Sequence, residues 1–172
     1  MPASDILFEG RFLRLRRRGS WEYAERTNAA GAVVIVAVTS DDRVLFTEQT
    51  RPPVDARVVE LPAGLIGDQP GEHDYRTTAR RELEEETGYR ASRITLLTEG
   101  PSTAGLSNEH VVLVRAEGLE RVGAGGGDDS EDITVYEIRR EQIDGWLEQQ
   151  RAEGLLVDPK VYAGLYFLSR DE

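Results

Sequence analysis

The residues best suited to chemistry lie in one stretch, Arg81-Glu82-Leu83-Glu84-Glu85-Glu86-Thr87-Gly88-Tyr89. On a helix at about 100° per residue, with Glu82 at zero, Glu85 falls at about −60° and Glu86 at about +40°. Glu82, Glu85 and Glu86 therefore share one face, and Glu84 points to the far side. Like charges at these spacings destabilise a helix. They also sit at its C-terminal end, where the macrodipole is negative. Arg81 can reach Glu85 one turn on, but one guanidinium cannot neutralise three carboxylates. A divalent cation can. Oxygen donors with no cysteine or histidine among them suit a hard ion, Mg²⁺ with Mn²⁺ as a substitute. Glu-rich helices also occur as plain solvated surfaces. The Gly-rich loop before this helix and its Arg-Glu-x-x-Glu-Glu-x-Gly ending argue for a site.

Such a helix needs a scaffold. A chain of 172 residues suits one domain with a proper core. The net charge of −11 excludes non-specific nucleic-acid binding and anionic membrane surfaces. A phosphorylated substrate would be repelled by this average field, so its site needs local arginines or cations. There are no cysteines, hence no disulfide and no thiolate metal site. Met1 to Arg18 is too polar for a signal peptide, and the apolar run Ala32 to Val38 is too short to span a bilayer. A cytoplasmic protein is expected.

The pattern predicts an edge-type strand over 6–18 and a second strand over 21–26, turning at Gly19-Ser20. The β-branched run 32–38 predicts a buried strand, followed by strands over 43–49 and 58–61. A Gly/Asp/Pro loop covers 64–71, and a helix runs from about 73 to 87, stopped by Gly88. Strands follow over 94–97, 110–114 and 133–138, with a Gly/Asp-rich loop over 122–129 and helices over 140–151 and 158–168. This order predicts an α/β fold: a mixed central sheet flanked by helices, an α-β-α sandwich, with an N-terminal antiparallel β-hairpin or sheet. Residues 1–28 would form that N-terminal part and 29–172 the main domain.

With these residues in view, the chain resembles the Nudix family, whose box reads G-x5-E-x7-R-E-U-x-E-E-x-G-U, U being aliphatic or aromatic. The second half matches at Arg81, Glu82, Leu83, Glu85, Glu86, Gly88 and Tyr89. The first half departs. Seven residues separate Gly64 from Glu72 where the family has five, and eight separate Glu72 from Arg81 where it has seven. Family spacing counted back from Arg81 lands on His73 and Gly67 instead. Gly64-Leu65-Ile66 with Gly71-Glu72 reads as the family's loop, lengthened by insertion. Leu61-Pro62-Ala63-Gly64, Trp21-Glu22 with Arg26, and Gln49-Thr50-Arg51-Pro52-Pro53 are similar to the ADP-ribose pyrophosphatase and nucleotide-sugar hydrolase branch. So are Ala104 to Glu109, Ser130 to Ile133 and Val157 to Tyr162. The resemblance covers about residues 20–168.

The resemblance implies metal ligation by Glu82, Glu86 and the Ala63 main-chain carbonyl. It makes Glu85 a further ligand or an orienter, and Glu131 a metal ligand or general base. Arg81 stands with Glu85 and Glu131 in the catalytic group, chiefly as a partner of the helix glutamates. Arg26 and Arg51 are candidate phosphate or ribose contacts, since guanidinium offers paired planar donors. Trp21 would stack on the base, Glu22 would accept from an exocyclic amine, and Glu109 lies in the substrate-side loop. The branch also implies a homodimer that exchanges N-terminal strands, so that two chains build each site. Its expected reaction converts ADP-ribose to AMP and ribose 5-phosphate. GDP-mannose or another sugar nucleotide is the alternative, and a non-catalytic nucleotide-sugar sensor is a third reading. Cleansing of oxidised nucleoside triphosphates fits less well, because Trp21, Arg26 and Arg51 point to the nucleotide-sugar branch.

Overall fold

The computed structural model describes residues 3–127 and 132–170. The chain opens with β1 (Asp5–Glu9), β2 (Leu13–Arg18) and β3 (Trp21–Arg26), an antiparallel three-stranded sheet in that order. The stretch read as one strand over 6–18 is thus two. The Gly10 N–H donates to the Leu13 carbonyl at 2.8 Å and reverses the chain. Apolar residues recur on both sides of that turn, so periodicity alone does not reveal it. The sheet leaves Ile6, Phe8, Phe12, Leu13 and Trp21 exposed.

The main body contains β4 (Gly31–Ala37), β5 (Arg43–Arg51), β6 (Ala56–Glu60), β7 (Ala63–Ile66), α1 (Tyr75–Thr87), β8 (Tyr89–Pro101), β9 (His110–Arg121), β10 (Thr134–Arg139), α2 (Ile143–Ala152), β11 (Leu156–Val157) and α3 (Pro159–Leu168). The expected mixed sheet is present as two four-stranded sheets, ordered β7-β4-β9-β8 and β10-β5-β6-β11. Each holds one parallel pair, β4 with β9 and β6 with β11.

Strand β4 is buried on both faces because β-branched side chains alternate across a pleat into apolar layers on either side. Val33, Ile35 and Ala37 pack with Ala79 and Leu83 of α1. Val34 and Val36 pack with Phe46, Leu147 of α2 and Val161 of α3. Helices thus cover both sides of the sheets, as the α-β-α reading expected. Helix α1 starts after Asp74 and ends at Gly88, whose φ of +74° is left-handed. The Gly88 N–H donates to the Glu84 carbonyl at 2.9 Å. A Cβ on Gly88 would lie 2.4 Å from the Gly123 carbonyl oxygen, so both the turn and the close approach require glycine.

Candidate active site

Three segments converge on the C-terminal half of α1. The first is β7, which pairs antiparallel with β4 and sets Ala63 opposite Val34 and Gly64 opposite Val33. The Ala63 N–H donates to Glu86 Oε2 at 3.1 Å. The second is the loop after β7. Arg81 binds both carboxylate oxygens of Glu72, at 3.1 and 3.2 Å, and Asp68 at 3.2 Å. Glu72 and Arg81 therefore meet in space despite the lengthened spacing between them, and Gly64 lies against Glu82, the residue after Arg81. The third is the glycine segment after β9. The Gly126 N–H donates to the Glu86 carbonyl at 2.7 Å and the Gly127 N–H to the Glu85 carbonyl at 3.1 Å. Both acceptors lack helical partners at the end of α1, so this segment satisfies them.

The three face glutamates differ. The Glu82 side chain is mostly buried and lies 3.0 Å from an Arg81 nitrogen. Burial raises its pKa to about 7, while the Arg81 charge opposes that shift and Glu85 and Asp68 add to it. Glu86 is 4% exposed. Glu85 is half exposed and accepts from Arg81 at 2.9 Å, so its carboxylate is turned toward solvent. Glu84, on the far side, pairs with Arg90. Burial alone would lower the Arg81 pKa, but hydrogen bonds to Glu72 and Glu85 and the Glu82 charge raise it. The Arg81 bond in turn holds Glu72 below the usual carboxylate range, against the effect of burial.

A cleft of about 440 Å³ opens over this face. Arg26, Arg51, Ala63, Glu82, Glu86 and Glu109 all line it, six of the residues singled out from the sequence. Gln49, Glu60, Asp68 and Lys160 line it too; none of them has a site role from sequence, although Gln49 and Lys160 fall within stretches that carry the family resemblance. Each cation there already has a carboxylate. Arg26 Nε binds Glu109 at 2.5 Å, Arg51 Nε binds Glu60 at 2.7 Å, and Lys160 Nζ binds Asp158 at 2.5 Å. Two signals could have flagged Lys160: the resemblance over Val157 to Tyr162, and the Asp158-Pro159-Lys160 helix start, where Asp158 caps α3 by accepting from the Lys160 N–H.

Trp21 and Glu22 do not reach this cleft. Trp21 is 65% exposed and lines a separate hollow with Tyr23, Ala104 and Asn108. Glu131 lies outside the described residues.

Carboxylates outnumber cations in the cleft, so a diphosphate entering alone would be repelled. Glu82 and Glu86 offer oxygen donors only. Burial disfavours the Glu82 charge unless a cation compensates it. This donor chemistry fits a hard divalent ion. Among the described residues no three acidic or histidine side chains stand together as a complete ligand set, which agrees with Glu85 facing outward.

The chain matches the NUDIX domain model over residues 28–156. It is 30% identical over 176 residues to the methanol dehydrogenase activator of Bacillus methanolicus, across 98% of this chain and 91% of that protein. It is 41% identical over 91 residues to the ADP-ribose pyrophosphatase of Bacillus subtilis (strain 168), covering 52% of this chain and 46% of that one. The crystal structure of an ADP compounds hydrolase superposes with a TM-score of 0.71 over 98% of this chain and 90% of that chain, at 21% identity, a likeness of fold. The acidic helix, the cleft above it and a family domain that spans most of the chain agree: this protein belongs to the Nudix hydrolase family.

Proposed function

We propose that this chain hydrolyses the diphosphate bond of a nucleoside diphosphate sugar, with ADP-ribose giving AMP and ribose 5-phosphate. The observation that carries the reading is the single cleft in which Glu82, Glu86 and Ala63 meet Arg26 and Arg51. Glu82, Glu86 and the Ala63 carbonyl would hold Mg²⁺, or Mn²⁺ in its place. When bound, the ion supplies positive charge to the diphosphate and acidifies a coordinated water. Arg26 and Arg51 exchange their carboxylate partners for phosphate oxygens and orient the substrate. Water adds to one phosphorus, the bridging P–O bond breaks, and two monophosphates leave. Glu131 or Glu85 takes the proton from the water, and Arg81 keeps the glutamates in place.

The N-terminal sheet supports a homodimer as the working form. Its exposed Ile6, Phe8, Phe12 and Leu13 need a cover, and Trp21 lies off the cleft of its own chain. Exchange of residues 1–28 would carry Trp21 and Glu22 to the partner's site. Among the described residues no helix is long and apolar enough to cross a membrane, in keeping with a cytoplasmic place of work.

A product assay in ¹⁸O-labelled water, with ADP-ribose, GDP-mannose and Mg²⁺, tests the reading. Faster release of AMP from ADP-ribose is expected. Preference for GDP-mannose would move the substrate within the class, and tight binding without turnover would favour the sensor. A second reading draws on the 30% identity to the methanol dehydrogenase activator along nearly the whole chain. It predicts that the protein raises the activity of a methanol dehydrogenase, which a coupled assay would reveal.

A further inference from the structure

A second hollow, of about 350 Å³, lies behind one wall of the catalytic cleft. Arg26 and Glu109 line both spaces, so their ion pair separates the two. The charge changes sign across that wall. Carboxylates outnumber cations in the cleft, whereas in the hollow Arg14, Arg16 and Arg26 meet only Glu25 and Glu109. Three guanidiniums against two carboxylates leave a formal surplus of one positive charge, in a chain whose net charge is −11.

The N-terminal strands build this surplus. Alternation along β2 puts Arg14 and Arg16 on one face, roughly 7 Å apart, and the register sets Glu25 of β3 opposite Arg14. Arg16 binds both Glu25 oxygens, at 3.0 and 2.7 Å, and Arg14 lies 3.6 Å from the same carboxylate. Asn108 donates to it at 3.0 Å. Burial would raise the Glu25 pKa, but the hydrogen bonds from Arg16 and Asn108 and the arginine charges hold it below the usual range. Glu25 thus stays ionised and sets one negative charge between two guanidiniums. The donors are not used up: Arg16 Nε is buried and has no hydrogen-bond partner among the described residues. A tetrahedral dianion brings more oxygens and more charge than that carboxylate, and the paired planar donors of neighbouring arginines suit it.

Going beyond the nucleotide-sugar reading and independent of it, we infer that this hollow is a phosphate site separate from the metal cleft. Arg14 and Arg16 bind the phosphate, and Glu25 yields its place to it. Asn108 also lines the hollow of Trp21, so the site lies between that hollow and the cleft. The phosphate is either a monoester carried by the substrate or a free ion.

Calorimetric titration of inorganic phosphate in EDTA, with chloride at matched ionic strength, measures the site without turnover. Arg16→Gln should weaken phosphate binding roughly tenfold or more, through the loss of a charge-assisted hydrogen bond. Glu25→Gln keeps the shape, removes the competing charge and should tighten binding several-fold. A merely structural role would not move the two variants in opposite directions. Melting curves check that both fold, and Glu25→Gln decides alone if Arg16→Gln does not. A second arm compares kcat/KM for ADP-ribose with and without a 2′-phosphate. A wild-type preference for the phosphorylated compound, lost in Arg16→Gln, assigns the phosphate to the substrate. Equal rates, with ADP-ribose turnover that responds to added phosphate in wild type alone, assign it to a free ion. No phosphate binding by the wild-type protein, or one affinity shared by all three proteins, would overturn the site and leave the diphosphatase reading untouched.

Discussion

Gly64 and Glu82 approach so closely that a methyl group on Gly64 would lie 2.0 Å from the Glu82 carboxyl carbon. The glycine is the roof under which the carboxylate sits. Gly64→Ala should leave the fold in place, since only the end of a flexible side chain must move. It should displace the Glu82 oxygens by ångströms, and such a misplacement costs about 10²-fold in turnover. Steady-state rates at saturating Mg²⁺, alongside thermal melting, check this. Near-normal turnover would mean that the Glu82 position does not matter.

Glu86 and Glu84 are two residues apart and should behave oppositely. Glu86→Gln can still accept from the Ala63 N–H but loses the charge offered to a cation. Turnover should fall by more than about 10²-fold, with weaker Mg²⁺ binding by calorimetry. Glu84 faces away and pairs with Arg90 on the surface. Glu84→Gln should leave both the melting temperature and turnover close to those of the unaltered protein.

Glu82 makes the metal-free protein sensitive to alkali. Its carboxyl titrates near 7 when folded, against an ordinary value of 4.5, because burial penalises the charge. The folded state therefore holds a proton that the unfolded state has lost, and stability falls as pH rises from about 4.5 to about 7. Glu82→Gln removes this dependence, while the Glu72–Arg81 contribution is common to both proteins and cancels. In EDTA, the melting temperature of Glu82→Gln should gain on wild type between pH 5 and pH 8. Added Mg²⁺ should narrow the gap. An identical difference at both pH values would show that Glu82 is not held in a desolvated setting.

Arg81 joins the lengthened loop to the helix. It binds Glu72, Asp68 and Glu85 and lies beside Glu82. Arg81→Ala strands the largely buried Glu72 carboxylate and should cost about 2 kcal/mol in urea denaturation. Arg81→Lys should restore little, because an ammonium cannot grip both Glu72 oxygens and Asp68 in one plane.

The proposed strand exchange has a complementation test. Trp21→Ala and Glu86→Gln each disable a site, but through different chains if the dimer forms. Mixing the two after co-refolding should restore about a quarter of wild-type activity, since half the dimers are mixed and each has one intact site. No recovery would place Trp21 in its own chain's site or out of catalysis.

The sequence was most legible where one physical signal dominated. The β-branched run at Val33 to Val36 could only be a buried strand, and Gly88 marked the end of the acidic helix. Strand β7 was hidden because Ala63-Gly64-Leu65-Ile66 reads as a glycine loop. Its pairing comes from β4, not from its own propensity. Strand β8 runs from Tyr89 to Pro101, far beyond the expected 94–97. Arg90, Ser92 and Arg93 are exposed there and disguise its ends as polar loop.

Within the site, the chemical face of α1 was readable from helical angles, but the turn of Glu85 toward solvent was not. That turn depends on where the Arg81 guanidinium points, a choice settled by Glu72 and Asp68. The pairing of Arg26 with Glu109 likewise joins residues 83 positions apart. Spacing carries no trace of it, nor of the route that brings Lys160 to the same cleft.

The glycine segment after β9 has a consequence for how this chain tolerates change of length. Gly126 and Gly127 are hydrogen-bonded to the last carbonyls of α1. Everything up to Gly127 is therefore moored to the helix, and an inserted residue before it would pull both bonds out of register. A residue inserted between the end of β9 and Gly126 should therefore free the last carbonyls of α1 and loosen the end of the acidic helix, which a fall in melting temperature would show.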